Sequence, residues 1–310
     1  MTLPDRLQRT VDVRGEEVFY RFANGLTIKT ELFNKDDRLR ILPLGTPQGS
    51  LMNHMLNFPE AVRGKRVFEP FAGSGALGFM ALKVGAAHVD FLDINPRAAE
   101  FHRANAALNE IAGACFTSIT GDVADFAPQR AYDLIIANPP FVPTPEGIEG
   151  TITSNGGPEG NCFVEILLRR LEALLVPSGR ALVYVFQFAK GGKPLVVDLI
   201  PVLRQRAVEL TPSQARPLPL ETFCQAYSSL FAKAGAAIDG WRAALVRKHG
   251  NDLTLCHYVV DIGPQSDRPT SCAVRDNFAE KFGESFRVPS ENEELLALDR
   301  AYENFVPGLA

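Results

Sequence analysis

The sequence predicts an α/β fold: a doubly wound, mainly parallel sheet with an N-terminal β-hairpin extension and a helical C-terminal tail. Between residues 66 and 188, short apolar runs alternate with helical patterns, which is typical of right-handed βαβ units. Before this region, Asn24-Gly25 separates two β-rich runs, the strongest short-range signal for a hairpin. After it, helical patterns and one further strand lead into a polar tail.

Each element of the central region has its own signal. Five apolar runs predict strands, at residues 66–71, 88–94, 114–123, 132–137 and 180–188. Residues 95–111 are expected to form a helix that begins with Asn95 as its N-cap and Pro96 at its first position. The amphipathic helix after residue 160 is expected to end at Pro177 and Gly179.

Beyond residue 190 the periodicity predicts three further elements and a last helix. Residues 192–207 and 220–246 have helical patterns, and residues 253–263 form a late strand. One amphipathic helix is expected at residues 290–304.

These patterns divide the 310 residues into three predicted parts. Residues 1–62 form the hairpin and helix extension, residues 63–263 the central domain, and residues 264–310 an acidic tail that packs on it. The net charge is −4, and the nine acidic and five basic residues of the tail account for all of it. The remaining residues carry no net charge. The chain therefore lacks the excess of basic residues expected of a protein that binds nucleic-acid phosphates by itself.

The composition favours a cytoplasmic protein. Five cysteines, at positions 115, 162, 224, 256 and 272, have no paired spacing, which indicates reduced thiols rather than a disulfide framework. Neither they nor the five histidines cluster as zinc ligands do, so no metal is expected. The N-terminus is too charged for a signal peptide, and no apolar run approaches membrane-spanning length. We therefore expect no membrane partner, while the oligomeric state stays open.

A glycine-rich turn lies between the first strand and the first helix of the central domain. Gly73-Ser74-Gly75-Ala76-Leu77-Gly78 is a GxGxxG pattern, whose glycines permit a tight turn and a close approach to a ligand. Asp93 closes the next strand, and Asp122 closes the strand after that. Each feature alone also fits a plain turn, a helix cap or a solvated loop end. Their order at three successive strand ends favours a nucleoside-binding site, with Asp93 placed to hold ribose hydroxyls.

The acidic residue Glu69 distinguishes between nucleoside cofactors. It ends the first strand, four residues before Gly73. A dinucleotide places its pyrophosphate at a helix N-terminus, where a nearby carboxylate would repel it. S-adenosylmethionine instead carries an ammonium and a sulfonium group, which suit a neighbouring carboxylate. Glu69 therefore favours S-adenosylmethionine over NAD.

The motifs FEPFAGSGALG, FLDIN, GDV and LIIANPPF resemble, in this order, the signature motifs of class I S-adenosylmethionine-dependent methyltransferases. The resemblance covers about residues 64–188 and implies a Rossmann-like sheet. It implies a set of cofactor-binding residues at the strand ends: Glu69, Phe71, Ala72, Gly73, Gly75, Asp93, Ile94, Asp122, Val123 and Asn138. The glycine region is similar to that of ribosomal-RNA guanine methyltransferases. NPPF and the stretch after it look more like the release-factor and ribosomal-protein glutamine methyltransferases, which usually carry tyrosine in place of Phe141.

The predicted catalytic residues follow a buried strand and are Asn138, Pro139, Pro140 and Phe141. Amide and aromatic amino nitrogens are poor nucleophiles, because their lone pair is delocalised into the adjacent π system. Asn138 Oδ1 and the Pro139 carbonyl are predicted to accept both N–H bonds of such a nitrogen and favour its pyramidalisation. The prolines stiffen the turn, and Phe141 offers a flat face for stacking. The alternative is that Asn138 merely caps the strand and Phe141 fills the core.

We therefore predict an S-adenosylmethionine-dependent N-methyltransferase that acts on a planar, amide-like nitrogen of a protein glutamine or a small molecule. The closest alternative is an RNA or DNA amino-group methyltransferase, which must splay its target base into the same pocket. An NAD-dependent oxidoreductase and a cofactor-binding protein without catalysis are the other two alternatives. The segment before the domain, with Thr46, Gln48 and Ser50, is a further candidate for the lining of the site, although Ser50 also fits a helix N-cap.

Overall fold

Two sheets organise the chain in the computed structural model, which describes residues 9–32, 37–148, 154–213 and 216–282. The N-terminal sheet is antiparallel and has three strands, β1 (Arg9–Arg14), β2 (Glu17–Phe22) and β3 (Thr27–Glu31). The central sheet has ten strands: β4 (Arg66–Pro70), β5 (His88–Asp93), β6 (Phe116–Thr120), β7 (Tyr132–Ala137), β8 (Leu175–Lys190), β9 (Lys193–Pro194), β10 (Arg206–Pro212), β11 (Leu218–Pro219), β12 (Leu253–Gln265) and β13 (Ser271–Val274).

The strand order of the central sheet is β13-β10-β12-β8-β7-β4-β5-β6, with β9 beside β8 and β11 beside β12. Strands β4 to β8 pair in parallel, and β12 runs antiparallel to both β8 and β10. The order reverses at β4, since β5 and β6 lie on one side of it and β7 and β8 on the other. This confirms the predicted doubly wound, mainly parallel sheet with an N-terminal hairpin.

Seven α-helices are described, and they pack on both faces of the central sheet: α1 (Thr46–Asn57), α2 (Ala76–Val84), α3 (Ala98–Leu108), α4 (Cys162–Leu174), α5 (Leu220–Leu230), α6 (Gly235–His249) and α7 (Phe278–Phe282). Buried side chains of α1, α2, α5 and α6 belong to one core cluster and those of α4 to a second, while Ala98 and Phe101 of α3 pack with Ile41 in a third, smaller one. Over the described ranges, no helix combines the length and apolar character needed to cross a membrane.

Three sequence predictions need correction. Helix α3 begins at Ala98 rather than at Pro96, because residues 95–98 form a turn in which the Ala98 amide donates to the Asn95 carbonyl, at 3.1 Å. The Asn95 side chain supports this turn by accepting a hydrogen bond from the Arg97 amide, at 3.0 Å. Helix α4 ends at Leu174, because the chain enters β8 at Leu175 and holds Pro177 and Gly179 in an irregular part of that strand.

The third correction concerns residues 192–207, which were expected to be helical. They form a short strand, a 3₁₀ helix over Leu195–Val202 and the start of β10. Pro201 lies inside that 3₁₀ helix, and proline does not support a regular α-helix there.

The C-terminal part of the described chain continues the central sheet. Strand β12 runs to Gln265, β13 pairs with β10, and α7 packs on α1. The helix predicted at residues 290–304 lies outside the described residues. The three-part division of the chain stays a prediction.

Two asparagines, Asn105 in α3 and Asn109 at its C-cap, attach the N-terminal sheet to the central domain. The buried Asn105 side chain accepts a hydrogen bond from the Lys29 amide, at 2.7 Å, and donates to the carbonyls of Lys29 and Ser74. One turn later, Asn109 makes the same pair of contacts with the backbone of Thr27. Strand β3 therefore docks on α3 through side-chain amides that replace a missing strand partner, and Asn105 also reaches the glycine turn.

We predict that Asn105→Ala lowers the free energy of unfolding by about 3 kcal/mol, because it leaves buried backbone groups of Lys29 and Ser74 without partners. Urea denaturation measures this loss. Leu108→Ala is the matched control on the same helix, since Leu108 is exposed, and it should change the stability by at most about 0.5 kcal/mol. Equal losses in the two variants would contradict the docking role of Asn105.

Candidate functional site

A pocket lies at the carboxyl edge of the central sheet, where β4, β5 and β7 end. It is lined by residues 41–44, Gln48, residues of the β4–α2 turn, residues 92–95, residues 121–123, Asn138, Pro140 and Phe163. The carboxyl ends of parallel strands around a reversal of strand order are the usual place for a ligand in such sheets. The sequence-predicted site therefore coincides with a pocket.

Positive φ angles shape the β4–α2 turn. Gly73 has φ +51° and Gly75 has φ +76°, a region that disfavours larger residues. Phe71 also adopts φ +59°, which is unusual for a bulky residue. A Cβ added to Gly78 would lie 2.6 Å from Val89 Cγ1, so only glycine lets α2 pack this closely on the sheet. Of the predicted glycines, Gly73 lines the pocket, whereas Gly75 lies behind it and shapes the turn.

The Glu69 side chain lies buried at the base of the turn. Its Oε2 accepts a hydrogen bond from the Gly78 amide, at 2.6 Å, and its Oε1 accepts a longer one from the Leu77 amide, at 3.3 Å. Burial raises the pKa of the Glu69 carboxyl to about 8, and the two amide donors offset only part of this effect. Glu69 is thus a buried, pocket-lining acid whose pKa is raised by burial and is expected to fall when a cation approaches.

The Asp93 carboxylate connects two loops at the pocket. Its Oδ2 accepts a hydrogen bond from the Gly73 amide, at 2.7 Å, and its Oδ1 accepts one from the Asn95 amide, at 2.8 Å. Burial raises the pKa of Asp93, and these backbone donors counteract it. Each carboxylate oxygen keeps a second lone pair, so the side chain can still accept hydrogen bonds from ribose hydroxyls.

The other predicted residues from the strand ends also lie in the pocket wall. Ala72, Ile94, Asp122 and Val123 all line it, and Ile94 is 53% exposed although it is large and apolar. The Asp122 side chain accepts a hydrogen bond from the Ala124 amide, at 2.8 Å, which fixes the loop after β6. An exposed isoleucine in a pocket wall offers an apolar surface to a flat ring such as adenine.

Asn138 lies at the end of β7 with its side chain at the pocket. Its Oδ1 is buried, and no donor among the described residues lies within hydrogen-bonding distance of it. A buried acceptor without a donor is costly unless a ligand or water satisfies it. The orphaned oxygen is therefore the feature of the motif that most directly indicates a ligand.

The rest of the NPPF motif is divided between the pocket and the core. Pro140 lines the pocket, whereas Pro139 and Phe141 lie outside the pocket lining. Phe141 is only 6% exposed, and its ring centroid lies 6.0 Å from that of Tyr184 and 6.3 Å from that of His257. The role of Phe141 as a stacking face stays a prediction.

Several lining residues could not be deduced from the motifs. Residues 41–44 cross the pocket, held where the Asn95 side chain donates to the Leu39 carbonyl at 2.8 Å and where the Leu44 amide donates to the Tyr20 hydroxyl at 3.1 Å. Phe163 reaches the pocket from α4, and its ring packs edge-on against Phe71. No motif in the sequence marks these positions as pocket lining.

Three residues of the segment before the domain were candidates for the pocket lining, and one of them lies there. Gln48 lines the pocket, and Thr46 and Ser50 lie outside its lining. Ser50 is not an N-cap, because α1 begins at Thr46 with Gly45 as its N-cap, and the Ser50 hydroxyl donates to the Thr46 carbonyl.

The charges of the lining fit S-adenosylmethionine better than a dinucleotide. The lining contains three carboxyl side chains, from Glu69, Asp93 and Asp122, and among the residues that the structure describes no lysine or arginine lines it. A pyrophosphate would face these acids without a counter-charge, whereas an ammonium and a sulfonium are attracted to them. Asp93 would hold the ribose, Ile94 and Val123 would contact the adenine, and Glu69 would lie near the amino-acid part.

Comparison with known families agrees with this geometry. Residues 49–153 match the family model of the methyltransferase small domain. This stretch of the chain is thus similar to the methyltransferase small domain. The match confirms the resemblance predicted from the motifs, and it covers the glycine turn, Asp93, Asp122 and Asn138.

Two curated relatives have similar sequences over part of the chain. A Methanocaldococcus jannaschii protein named as a protein N5-glutamine methyltransferase is 29% identical over 127 residues, which cover 38% of this chain and 60% of the relative. The ribosomal protein L11 methyltransferase of Ralstonia pickettii is 36% identical over 75 residues, which cover 24% of this chain and 23% of the relative. The chain thus spans less than two thirds of either relative.

Solved structures of methyltransferases resemble the chain at low identity. One from Streptococcus mutans, described as S-adenosylmethionine-dependent, has a TM-score of 0.44 at 16% identity. The match covers 80% of this chain and 56% of the Streptococcus mutans chain. The Methanocaldococcus jannaschii tRNA m1G37 methyltransferase has a TM-score of 0.46 at 13% identity. The match covers 84% of this chain and 56% of the tRNA methyltransferase chain.

We predict that S-adenosylhomocysteine binding releases about one proton at pH 7, because the approaching ammonium makes Glu69, whose pKa is about 8, give up its proton. The affinity should therefore rise with pH by up to about tenfold per unit between pH 5.5 and 7. Calorimetry in two buffers of different ionisation enthalpy counts the protons.

Glu69→Gln is the matched variant, since it keeps an oxygen acceptor for the α2 amides and cannot ionise. It should bind without proton release and with little pH dependence. If wild type and variant released the same number of protons, Glu69 would be only a structural partner of α2.

Proposed function

We propose that the chain is an S-adenosylmethionine-dependent N-methyltransferase that modifies a planar, amide-like nitrogen of a protein glutamine or a small molecule. The observation that carries this proposal is the orphaned Asn138 Oδ1 at the edge of an acid-lined pocket in a methyltransferase small domain. The name of the Methanocaldococcus jannaschii relative supports a glutamine acceptor. All five cysteines are free thiols, which supports a cytoplasmic location.

The acceptor nitrogen is activated by hydrogen bonds rather than by a general base. Bound S-adenosylmethionine supplies an electrophilic methyl group on its sulfonium. Asn138 Oδ1 and the Pro139 carbonyl accept the two N–H bonds of the acceptor, which draws its lone pair out of conjugation and aims it along the axis of displacement. Holding the two reacting groups close and aligned can lower the barrier by about 7 kcal/mol or more. The proton is lost afterwards, because the methylated nitrogen becomes strongly acidic once its lone pair is used.

The two prolines restrict the backbone conformation of the NPPF motif. Proline fixes φ near −65° and restricts the residue before it, so Asn138 and Pro139 have few alternative conformations. Pro140 lies in the pocket wall and Pro139 is buried. The turn can therefore present an amide oxygen and a backbone carbonyl at little additional entropic cost when the acceptor binds.

We predict that Asn138→Ala lowers methyl transfer at least about 100-fold, because the acceptor loses a preorganised hydrogen-bond partner in the transition state. The measurement is transfer of radioactive methyl from S-adenosylmethionine to a glutamine-containing peptide and to free glutamine. Binding of S-adenosylhomocysteine should stay within about threefold of wild type.

Asn161→Ala is the matched control, because Asn161 Oδ1 is also buried without a partner in the described chain but does not line the pocket. It should retain near wild-type transfer. Full transfer by Asn138→Ala with intact cofactor binding would refute the mechanism, and cofactor binding without transfer to any acceptor would indicate a binding protein.

The rival acceptor is an amino group of RNA or DNA. The pocket lining argues against it, because the described lining residues carry carboxyl groups and no basic side chain near Asn138. Filter binding with total RNA at low salt should therefore detect no complex. Retention that falls steeply as salt rises would instead favour the nucleic-acid acceptor.

A further inference from the structure

After the NPPF motif, two segments of the chain, residues 142–148 and 154–160, lie side by side and pair in parallel at Val142 and Asn155. The Val142 amide donates to the Ser154 carbonyl at 2.8 Å, the Gly156 amide to the Val142 carbonyl at 2.9 Å, and the Thr144 amide to the Gly157 carbonyl at 2.9 Å. These bonds make the position of one segment depend on that of the other.

The second segment is pressed directly against Phe141. A Cβ on Gly156 would lie 2.8 Å from the Phe141 Cα, and a Cβ on Gly160 would lie 2.5 Å from the Phe141 carbonyl oxygen. Both glycines therefore permit backbone contact that any other residue would prevent. Any shift of the paired segments is transmitted to the backbone at the end of the NPPF motif.

Helices α5 and α6 both contact the paired segments. The Tyr227 hydroxyl of α5 donates to the Pro143 carbonyl, at 3.0 Å, in the first segment. The Trp241 indole N–H of α6 donates to the Pro158 carbonyl, at 2.9 Å, in the second. Lys248 and His249, at the end of α6, contact the Glu159 carboxylate at 2.6 and 2.9 Å.

These two aromatic anchors are rigid. Tyr227 and Trp241 are buried, and their rings lie 6.0 Å apart in a cluster with Phe223, which in turn packs on Phe186 and Phe188 of β8. Burial also raises the pKa of the Tyr227 hydroxyl to about 12, so it remains a donor throughout the physiological range. The helix pair thus holds the paired segments from a fixed position above the extension of β8.

We propose that Tyr227 and Trp241 are positioning residues that set the geometry of the NPPF turn for methyl transfer, acting through the paired segments. The inference rests on the proposed function for the meaning of that turn. It assigns a role in the reaction to residues that lie outside the pocket and outside the methyltransferase small-domain match.

The test compares Tyr227→Phe and Trp241→Phe with Arg242→Ala. The first two keep an aromatic ring. Trp241→Phe removes one hydrogen bond to the paired segments, and Tyr227→Phe removes the bond to the Pro143 carbonyl together with the contact to the Thr144 hydroxyl, at 3.3 Å. The control removes an exposed ion pair between Arg242 and Glu221, at 2.8 Å, within the same helix pair. We expect kcat for the glutamine peptide to fall about tenfold in the first two variants, with the Kd for S-adenosylhomocysteine within twofold of wild type, and neither to change in the control.

Hydrogen exchange of the S-adenosylhomocysteine-bound protein gives a readout that is independent of the acceptor. The Val142, Thr144 and Gly156 amides should exchange faster in Tyr227→Phe than in Arg242→Ala. Exchange and kcat equal to those of the control would overturn the positioning role. A wild-type protein that does not methylate the peptide would contradict the proposed acceptor instead, and the exchange rates would still decide whether Tyr227 and Trp241 anchor the turn.

Discussion

The hydrogen bonds of the Asp93 carboxylate are the constraint on which the site depends. One oxygen binds the amide of Gly73 in the glycine turn, and the other binds the amide of Asn95 after β5. The Asn95 side chain then donates to the Leu39 carbonyl, which brings the N-terminal segment across the pocket. The half-buried Asp93 carboxylate thus links the turn to the loop after β5 and, through Asn95, to the segment that crosses the pocket; in the proposed function the same group holds the ribose.

Electrostatics then selects what the pocket can bind. Burial keeps Glu69 ready to ionise for a cation, while the lining supplies carboxyl groups without basic side chains in the described chain. Asn138 contributes the complementary feature, a buried acceptor oxygen that has no donor among the described residues. Glu69 and Asn138 lie at the ends of the adjacent strands β4 and β7, which is the arrangement that the proposed transfer between two bound groups requires.

The sequence predicted the parts of the site that depend on local chemistry. Glycine turns, acids at strand ends and a proline-stiffened asparagine each have local signals, and the structure places Glu69, Gly73, Asp93 and Asn138 around one pocket. The start of α3 was predicted two residues early, because a backbone turn over residues 95–98 precedes the helix.

The unpredicted parts depend on contacts between distant residues. The Tyr227 hydroxyl donates to the Pro143 carbonyl in the first paired segment. The two residues are 84 positions apart, and no local pattern encodes such a contact. Phe163 and residues 41–44 reach the pocket through packing of α4 and docking of the N-terminal sheet. The burial of Phe141 against Tyr184 likewise follows from the way β8 extends beyond β7.

A crystal structure of the complex with S-adenosylhomocysteine tests the central claim most directly. The account predicts the ribose hydroxyls on Asp93, the ammonium near Glu69 and the sulfur facing Asn138 Oδ1. A sulfur turned away from Asn138, or a pocket that binds NAD with its pyrophosphate at the glycine turn instead, would contradict it.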